Sequence, residues 1–561
     1  MSQSKTVADV LIVGSGASGG PCAWHLSQVP GIKIVCLEQG DWPGTAPGTP
    51  READTQRQRL ATPPPPTEGV RHFRDGYPYD FTNSALGAWP ILGNAVGGAT
   101  VHYAASWQRL HPSDFLARSL EGVADDWPIT YWDLEPYYDQ IDRIVGVSGV
   151  PGNPAYPRRK SDADLQPPPP LSRAAHFLAG GFKKLGWHWW PAERAIITKT
   201  HKGRKPCPAH CEACDDGCPH EAKNSADVVF WPEAIKNGVD LRTRARVREI
   251  TVDSRGLADG ALYYDKDGKL AEQKARLVIV ACNGIGTPRL LLNSKSKHFP
   301  NGLANSSGQV GKCLMAHPSA RVIGRFQDGP LPANDRASIG LVSDQFYEGR
   351  PERGFARGMW VLAGGLGAPI ASALGEGNTP AATIIPAALR QDRTSRGAVR
   401  WGALHRAKFQ EQFSRTVSLT VFADELPVES NRIELHPTLV DEVGIPGVKL
   451  SYKRTENSDK ILAFGMERMK EVLQAAGATE ITGEMGTAAP GHYMGTARMG
   501  SNPERSVTDK FGRAHDVKNL FVIDGSAFTT GGSLVPTATI HANALRVADY
   551  IKTNARNLLK G

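Results

Sequence analysis

Gly14, Gly16 and Gly19 form a G-x-G-x-x-G turn whose setting constrains the chain more than any other feature. The apolar run ADVLIV (residues 8–13) ahead of it reads as a buried strand. Residues 20–28 read as a helix, and residues 32–38 (IKIVCLE) as a second strand ending in the acid Glu38. Gly14 permits the tight turn, Gly16 lets the backbone approach a pyrophosphate, and Gly19 lets helix and strand pack closely. Ser18 lies in the same turn, at a helix N-terminus whose unpaired N–H groups and partial positive charge face the phosphates. Glu38, nineteen residues after Gly19, is placed to accept from ribose hydroxyls. The unit predicts a dinucleotide site and does not choose between NAD and FAD.

The rest of the 561 residues allow several domain-sized units or two large interleaved ones. With 40% hydrophobic and 22% charged residues, the chain can bury a large core and is no disordered tail. The net charge of +8 is a mild basic bias. Its densest cluster, Arg242, Arg244, Arg246 and Arg248, alternates as a strand would, so a solvated strand face is preferred over a nucleic-acid or lipid site. Residues 1–8 are polar, and the short apolar run 10–13 leads straight into the glycine turn, so no secretory leader is expected. The uncharged stretch 358–375 carries five glycines and Pro369, which favours a buried or loop-rich segment over a membrane span. Two proline runs, 63–66 and 167–170, read as loop and stiff connector.

From Arg242 the chain reads as a small antiparallel meander: RTRARVREITVD, ALYYDKDG and ARLVIVACNG. Residues 331–490 mix loops and strands with one clear helix, 456–476. They suggest a second domain built on an antiparallel sheet. The end returns to a strand, 519–524, then a glycine-rich turn and a helix over 537–555.

Four of the eight cysteines crowd into twelve residues: Cys207, Cys211, Cys214 and Cys218, followed by Pro219. The spacing C-x3-C-x2-C-x3-C-P matches a ferredoxin run except that its first interval is one residue longer. An iron–sulfur cluster is the first reading. A structural zinc site with His210 or His220 nearby is the second, and free or paired thiols the third.

Residues 94–100 (NAVGGAT) are similar to the first signature of the glucose–methanol–choline (GMC) flavoprotein oxidoreductases, and residues 284–294 (GIGTPRLLLNS) look like the second. Residues 492–500 (HYMGTARMG) resemble the block that carries that family's catalytic histidine, and residues 519–526 resemble its C-terminal flavin-binding strand. Residues 95–115 and 125–142 also look like the large flavin subunits of bacterial gluconate and sugar dehydrogenases, which carry a cysteine-rich segment at about this place.

The resemblance implies an α/β fold: a Rossmann-like FAD-binding domain interleaved with an α+β substrate domain on an antiparallel sheet. The boundaries expected are 1–150 for the first FAD-binding part and 151–195 for a substrate or cap segment. The cysteine-rich segment and second FAD-binding part follow over 196–330, the substrate domain over 331–490, and the catalytic block with the last FAD-binding part over 491–561. Gly97, Gly98, Val247, Asp524, Gly525, Pro536 and Thr537 are expected at the FAD, with the helix after Pro536 stabilising negative charge on the reduced ring. His102, four residues after Gly98, is the candidate for a covalent bond to the flavin. His492 is the expected base, since a neutral imidazole suits removal of a hydroxyl proton near neutrality. The family usually places Asn or His immediately before the proline of the last turn. Here that position is Val535, which cannot hydrogen-bond a substrate, and His541 is the candidate partner in its place.

The activity implied is hydride transfer from a CH–OH group of a sugar, sugar acid or related alcohol. Electrons would pass through a cluster held by the four cysteines to a cytochrome c subunit, and a small chaperone-like subunit is a second expected partner. The runner-up is an oxidase that makes peroxide. A zinc-dependent nucleic-acid binder explains neither the glycine turn nor the His492 block. Trp360, Trp401 and Phe422 read as core packing before sugar stacking. The location expected is cytoplasmic, or the periplasmic side of the inner membrane if a partner co-exports the chain.

Overall fold

The computed structural model describes residues 7–43, 92–208, 218–327, 340–364, 415–488 and 491–559, with shorter pieces at 2–3, 70–72, 78–80, 82, 84 and 214. The strand Ala8–Val13 lies within a parallel sheet ordered Asp240–Arg242, Ile34–Leu37, Ala8–Val13, Leu270–Val280 and Leu520–Val522. Val10, Leu11 and Ile12 are fully buried, as are Val278, Ile279 and Val280 beside them. Such continuous apolar runs suit strands covered on both faces. The helix Gly19–Leu26 packs against the C-terminal helix Thr537–Leu558. The fold is thus α/β around a Rossmann-like unit, assembled from segments far apart in the chain.

The meander is present, with one difference. Arg246–Val252 pairs antiparallel with Ala258–Tyr264, which pairs antiparallel with the start of Leu270–Val280. That third strand is eleven residues long, and its second half continues into the parallel sheet. The alternating arginines do not share one strand face. Arg242 lies on the parallel strand, Arg244 turns with φ +50°, and Arg246 and Arg248 lie on the meander. Ion pairs to Asp240, Asp41 and Glu442 neutralise the first three locally.

A second, antiparallel sheet runs Glu480–Ala488, Pro318–Arg325, Thr416–Ala423, Met359–Gly364, Leu341–Ser343 and Trp190–Pro191. The helices Arg173–Leu185 and Glu456–Ala476 supply its hydrophobic cover. The second of these carries Ile461, Leu462, Met469, Val472 and Leu473 on one buried stripe, as a 3.6-residue period requires. Thr455 caps its start by accepting from Ser458 N–H, and Gly477 ends it at φ +97°. A smaller sheet joins Arg432–Val440, Pro446–Ser451, Pro78–Asp80 and Val70–His72.

Residues 359–364 of the uncharged stretch form a strand of the second sheet. Among the described residues, no helix is long and apolar enough to cross a membrane. The connector 167–170 is irregular and partly exposed, while the run 63–66 lies outside the described residues.

The helix Tyr131–Val145 fastens the loop after the second glycine pair to the body. It carries Asp139 and Asp142 to the fully buried Arg109, and Trp107 Nε1 donates to Asp142 at 2.9 Å. Removing one partner from such a buried cluster strands the remaining charges. Arg109→Met is therefore expected to cost about 3–5 kcal/mol, read as a fall in the denaturation midpoint.

Candidate active site

One cleft opens where the parallel strands end, the usual place for a ligand on a sheet of this kind. Gly14, Gly16 and Ser18 line its floor and Glu38 its side. Two of the glycines are demanded by the protein itself. A Cβ at Gly14 would lie 2.5 Å from the Ala281 carbonyl oxygen, and one at Gly19 would lie 1.9 Å from the Gly14 oxygen. Gly16 differs. Its Cβ would meet nothing nearer than Gly98 Cα at 3.6 Å, so the space before it is space for a ligand. Glu38 steadies the turn: Ser15 donates to Oε2 from N–H (3.0 Å) and Oγ (2.7 Å), and Gly40 N–H donates to Oε1. Burial pushes its carboxyl up from the ordinary value against these hydrogen bonds. A carboxylate with three donors still has acceptor capacity for a ribose hydroxyl.

The next wall comes from Gly98 and His102, on either end of the short helical turn Gly98–Val101. Gly97 sits just before it at φ +95°, its N–H donating to Ser15 O at 3.3 Å. Val247 lines the far end of the cleft. Asp524 and Gly525 line it from the last parallel strand. Asp524 accepts from Asn283 N–H (3.1 Å), Thr287 Oγ (2.6 Å) and Ser526 N–H (2.8 Å), so it ties that strand to the helix Asn283–Asn293. Pro536 and Thr537 present the N-terminus of the long C-terminal helix to the same space. A glycine-floored channel with an acid at one end and two helix N-termini suits an FAD-type dinucleotide.

His492 lines the cleft as well. Its Nδ1 lies 2.9 Å from His317 Nδ1, with the rings edge to face at 78° and 5.0 Å between centroids. Burial, and then the neighbouring His317, lower the His492 pKa to about 3. Burial lowers His317 to about 4, against the Gly532 and Gly531 backbone groups that face it. Both imidazoles are neutral at physiological pH. With Nδ1 engaged, Nε2 is the nitrogen of His492 left for a substrate.

His541 lies elsewhere. Its Nδ1 donates to Thr537 O at 2.9 Å, and its ring packs between Trp107 (5.1 Å) and Phe230 (5.7 Å), away from the cleft lining. Val535 packs against the core. His317, which opens the strand Pro318–Arg325, is the group the fold brings to His492 instead. A lone histidine before a proline carries no periodic or spacing signal, so only the fold reveals it. Trp360 is fully buried 5.7 Å from Phe422, which in turn lies 6.5 Å from His492; Trp401 is outside the described residues.

Cys207 and Cys218 pack with Ile197, and Lys223 ties the segment to residues 101–103. Lys223 Nζ donates to the carbonyls of Val101 (2.8 Å), Tyr103 (3.1 Å) and Cys214. Cys211 and His210 lie outside the described residues, and His220 is exposed. Among the described residues, no group of three or more His, Cys, Asp or Glu side chains is placed to hold a metal ion.

Comparison with known proteins agrees with this geometry. Family models described as GMC oxidoreductase match residues 9–319 with the N-terminal part and 427–544 with the C-terminal part. The chain is 39% identical to a 2-methyl-1,2-propanediol dehydrogenase of Mycolicibacterium austroafricanum, over 98% of this chain and 96% of that protein. It is 28% identical to the fructose dehydrogenase large subunit of Gluconobacter japonicus, over 98% and 99%. A pyridoxine 4-oxidase structure from Mesorbium loti superimposes with a TM-score of 0.61 at 16% identity, over 97% of this chain and 99% of that one. The chain belongs to the GMC oxidoreductase family and is an oxidoreductase of that fold.

Proposed function

We propose that the chain binds FAD in this cleft and oxidises a CH–OH group of a small polyol, sugar or sugar acid, with His492 as the base. The observation that carries the reading is an imidazole lining the cleft, kept neutral, with one nitrogen anchored and the other free. FAD, when bound, supplies the acceptor for the hydride that leaves carbon. The chain supplies the rest. His492 Nε2 takes the hydroxyl proton, a general-base step worth about 10²–10⁴-fold. The first-turn N–H groups after Pro536 favour negative charge on the ring that settles there. The diol substrate in the name of the 39% identical relative supports a small alcohol, and the fructose dehydrogenase subunit supports a sugar. The electrons leave to an external acceptor such as a cytochrome or quinone. The described geometry gives no support to iron–sulfur ligation by the cysteines, so no step runs through them.

Anaerobic titration of the yellow protein with 1,2-propanediol, glycerol, glucose, fructose and gluconate tests the reading. Bleaching by at least one is expected. A chain that purifies without flavin and takes none up on reconstitution would overturn it. Because His102 lines the cleft, acid precipitation of the same preparation reads its covalent role. Flavin that stays with wild-type chain and leaves His102→Ala would show the bond.

Three outcomes are expected of variants and pH. Gly16→Val has room within the protein, so it should melt close to the parent yet lose most of its flavin, measured by absorbance per chain. His492→Ala should keep its flavin and bleach about 10²–10⁴-fold more slowly. His492 is lowered to about 3 from its ordinary 6.5, so its base form persists well into acid. His492 itself should therefore set no acid limb near 6.5: any fall near pH 6 belongs to the buried Asp424, held at about 6, and should vanish in Asp424→Asn, whereas an acid limb at 6.5 that survives in that variant would contradict the buried neutral base.

A further inference from the structure

Val535 leaves the family's usual partner position without a polar group, yet His492 is not left alone. Its Nδ1 and that of His317 share one proton across 2.9 Å. Which ring donates is decided by what faces the other side of His317. Its Nε2 is buried beside Gly531 without a hydrogen bond. Asp424 Oδ1 is also buried there without a hydrogen bond. A point one Cβ length from Gly531 lies 3.6 Å from His317 Nε2 and 3.8 Å from Asp424 Oδ1. The other oxygen of Asp424 accepts from Arg357 Nε at 2.9 Å, and Arg357 also pairs with Asp114 and Glu121. Asp424 is therefore anchored on one side, and its unpaired oxygen and His317 Nε2 both lie beside Gly531.

Two buried polar atoms of opposite need, side by side, are served by one water: it accepts from the imidazole N–H and donates to the carboxylate. Leaving either unpaired costs about 1–3 kcal/mol. This arrangement puts the His317 proton on Nε2, makes its Nδ1 an acceptor, and so puts the His492 proton on Nδ1. We propose that Asp424 and His317 are positioning residues which, through a water beside Gly531, hold the proton of His492 on Nδ1 and keep its Nε2 lone pair turned to the cleft.

The inference rests on His492 being the base, and it closes the proton balance within the chain. The substrate O–H bond breaks and its proton joins His492 Nε2. The Nδ1 proton of His492 passes to His317 Nδ1, the Nε2 proton of His317 passes to the water, and a proton of the water passes to Asp424. One proton enters and one carboxylate is neutralised. Burial, opposed by Arg357, holds Asp424 at about 6, so it can take that proton and give it up again near neutrality. The carbonyl forms as the carbon gives up its hydride, for which FAD, when bound, would supply the acceptor.

The test is a 15N-histidine NMR spectrum of the flavin-loaded protein, with the His492 signals assigned by His492→Gln. Wild-type His492 should carry its proton on Nδ1 and show a bare Nε2. His317→Leu should return His492 to the Nε2-protonated form. His317→Gln, whose amide oxygen can accept, should keep it on Nδ1. Gly531→Ala, at a position without a left-handed φ, fills the space of the water and should shift the His317 signals while the chain stays folded. Flavin bleaching should fall about 10²-fold in His317→Leu, with at least tenfold recovery in His317→Gln and little change in KM. A wild-type His492 protonated on Nε2, or a His317→Leu variant that leaves its tautomer unchanged, would overturn the proposal. The tautomer needs no substrate to be read. A failed alcohol panel beside the expected tautomer would therefore sink the reaction and not the relay.

Discussion

The strand Leu270–Val280 is the member on which the rest of the molecule is hung. Val280 stands in register with Val13 on one side and with Val522 on the other. All three are buried and all three strands run the same way. The chain must therefore leave the sheet at one edge three times, and it does so at Gly14, Cys282 and Asp524, all of which line the cleft. Residues some 240 to 270 positions apart become neighbours through backbone pairing alone. Asp524 then locks the arrangement by accepting from Asn283 and Thr287. A crevice at such an edge is a geometric consequence of parallel strands, and the glycine floor makes it deep enough for phosphate.

The same burial that builds the edge sets the chemistry next to it. Three carboxylates, Asp114, Glu121 and Asp424, surround the single guanidinium of Arg357 in the interior. Burial drives Asp424 up to about 6 and the two imidazoles down to about 3 and 4, which reverses their ordinary order. A proton shared among them then rests on the carboxylate. An exposed histidine and aspartate would keep their separation, and the proton would stay on the imidazole. Depth in the core thus reverses the order in which a carboxylate and an imidazole ordinarily hold a proton.

Much of this was legible from residue order. The glycine turn, Glu38, the helix over 456–476 and the meander follow from local rules of period and turn chemistry, and each is found in place. The helix Glu456–Ala476 even keeps its expected ends, because Thr455 and Gly477 are capping residues on any reading. The long strand Leu270–Val280 was harder. Nothing in LAEQKARLVIV marks where an antiparallel partner gives way to a parallel one, since that depends on which chain segment arrives beside it. The arginine run misled for a related reason: Arg244 sits at positive φ and breaks the face that alternation suggested. His541 follows the last glycine turn closely, but on a helix the side chain at that position packs on Trp107 and Phe230. The histidine that meets His492 is 175 residues upstream of it.

Val535 shows what the chemistry asks of its partner position. A base needs one nitrogen bare toward the substrate, and an imidazole achieves this only if the other is held as a donor. An acceptor at Nδ1 meets that demand wherever in the chain it comes from. His317 arrives at the head of the strand Pro318–Arg325, and Phe422 and Asp424 come from the end of the neighbouring strand Thr416–Ala423. The antiparallel sheet thus does more than wall the substrate side. It brings His317 and Asp424 to one place from the ends of adjacent strands in fixed register. An apolar residue at 535 is then no defect. Val535 packs on the core instead.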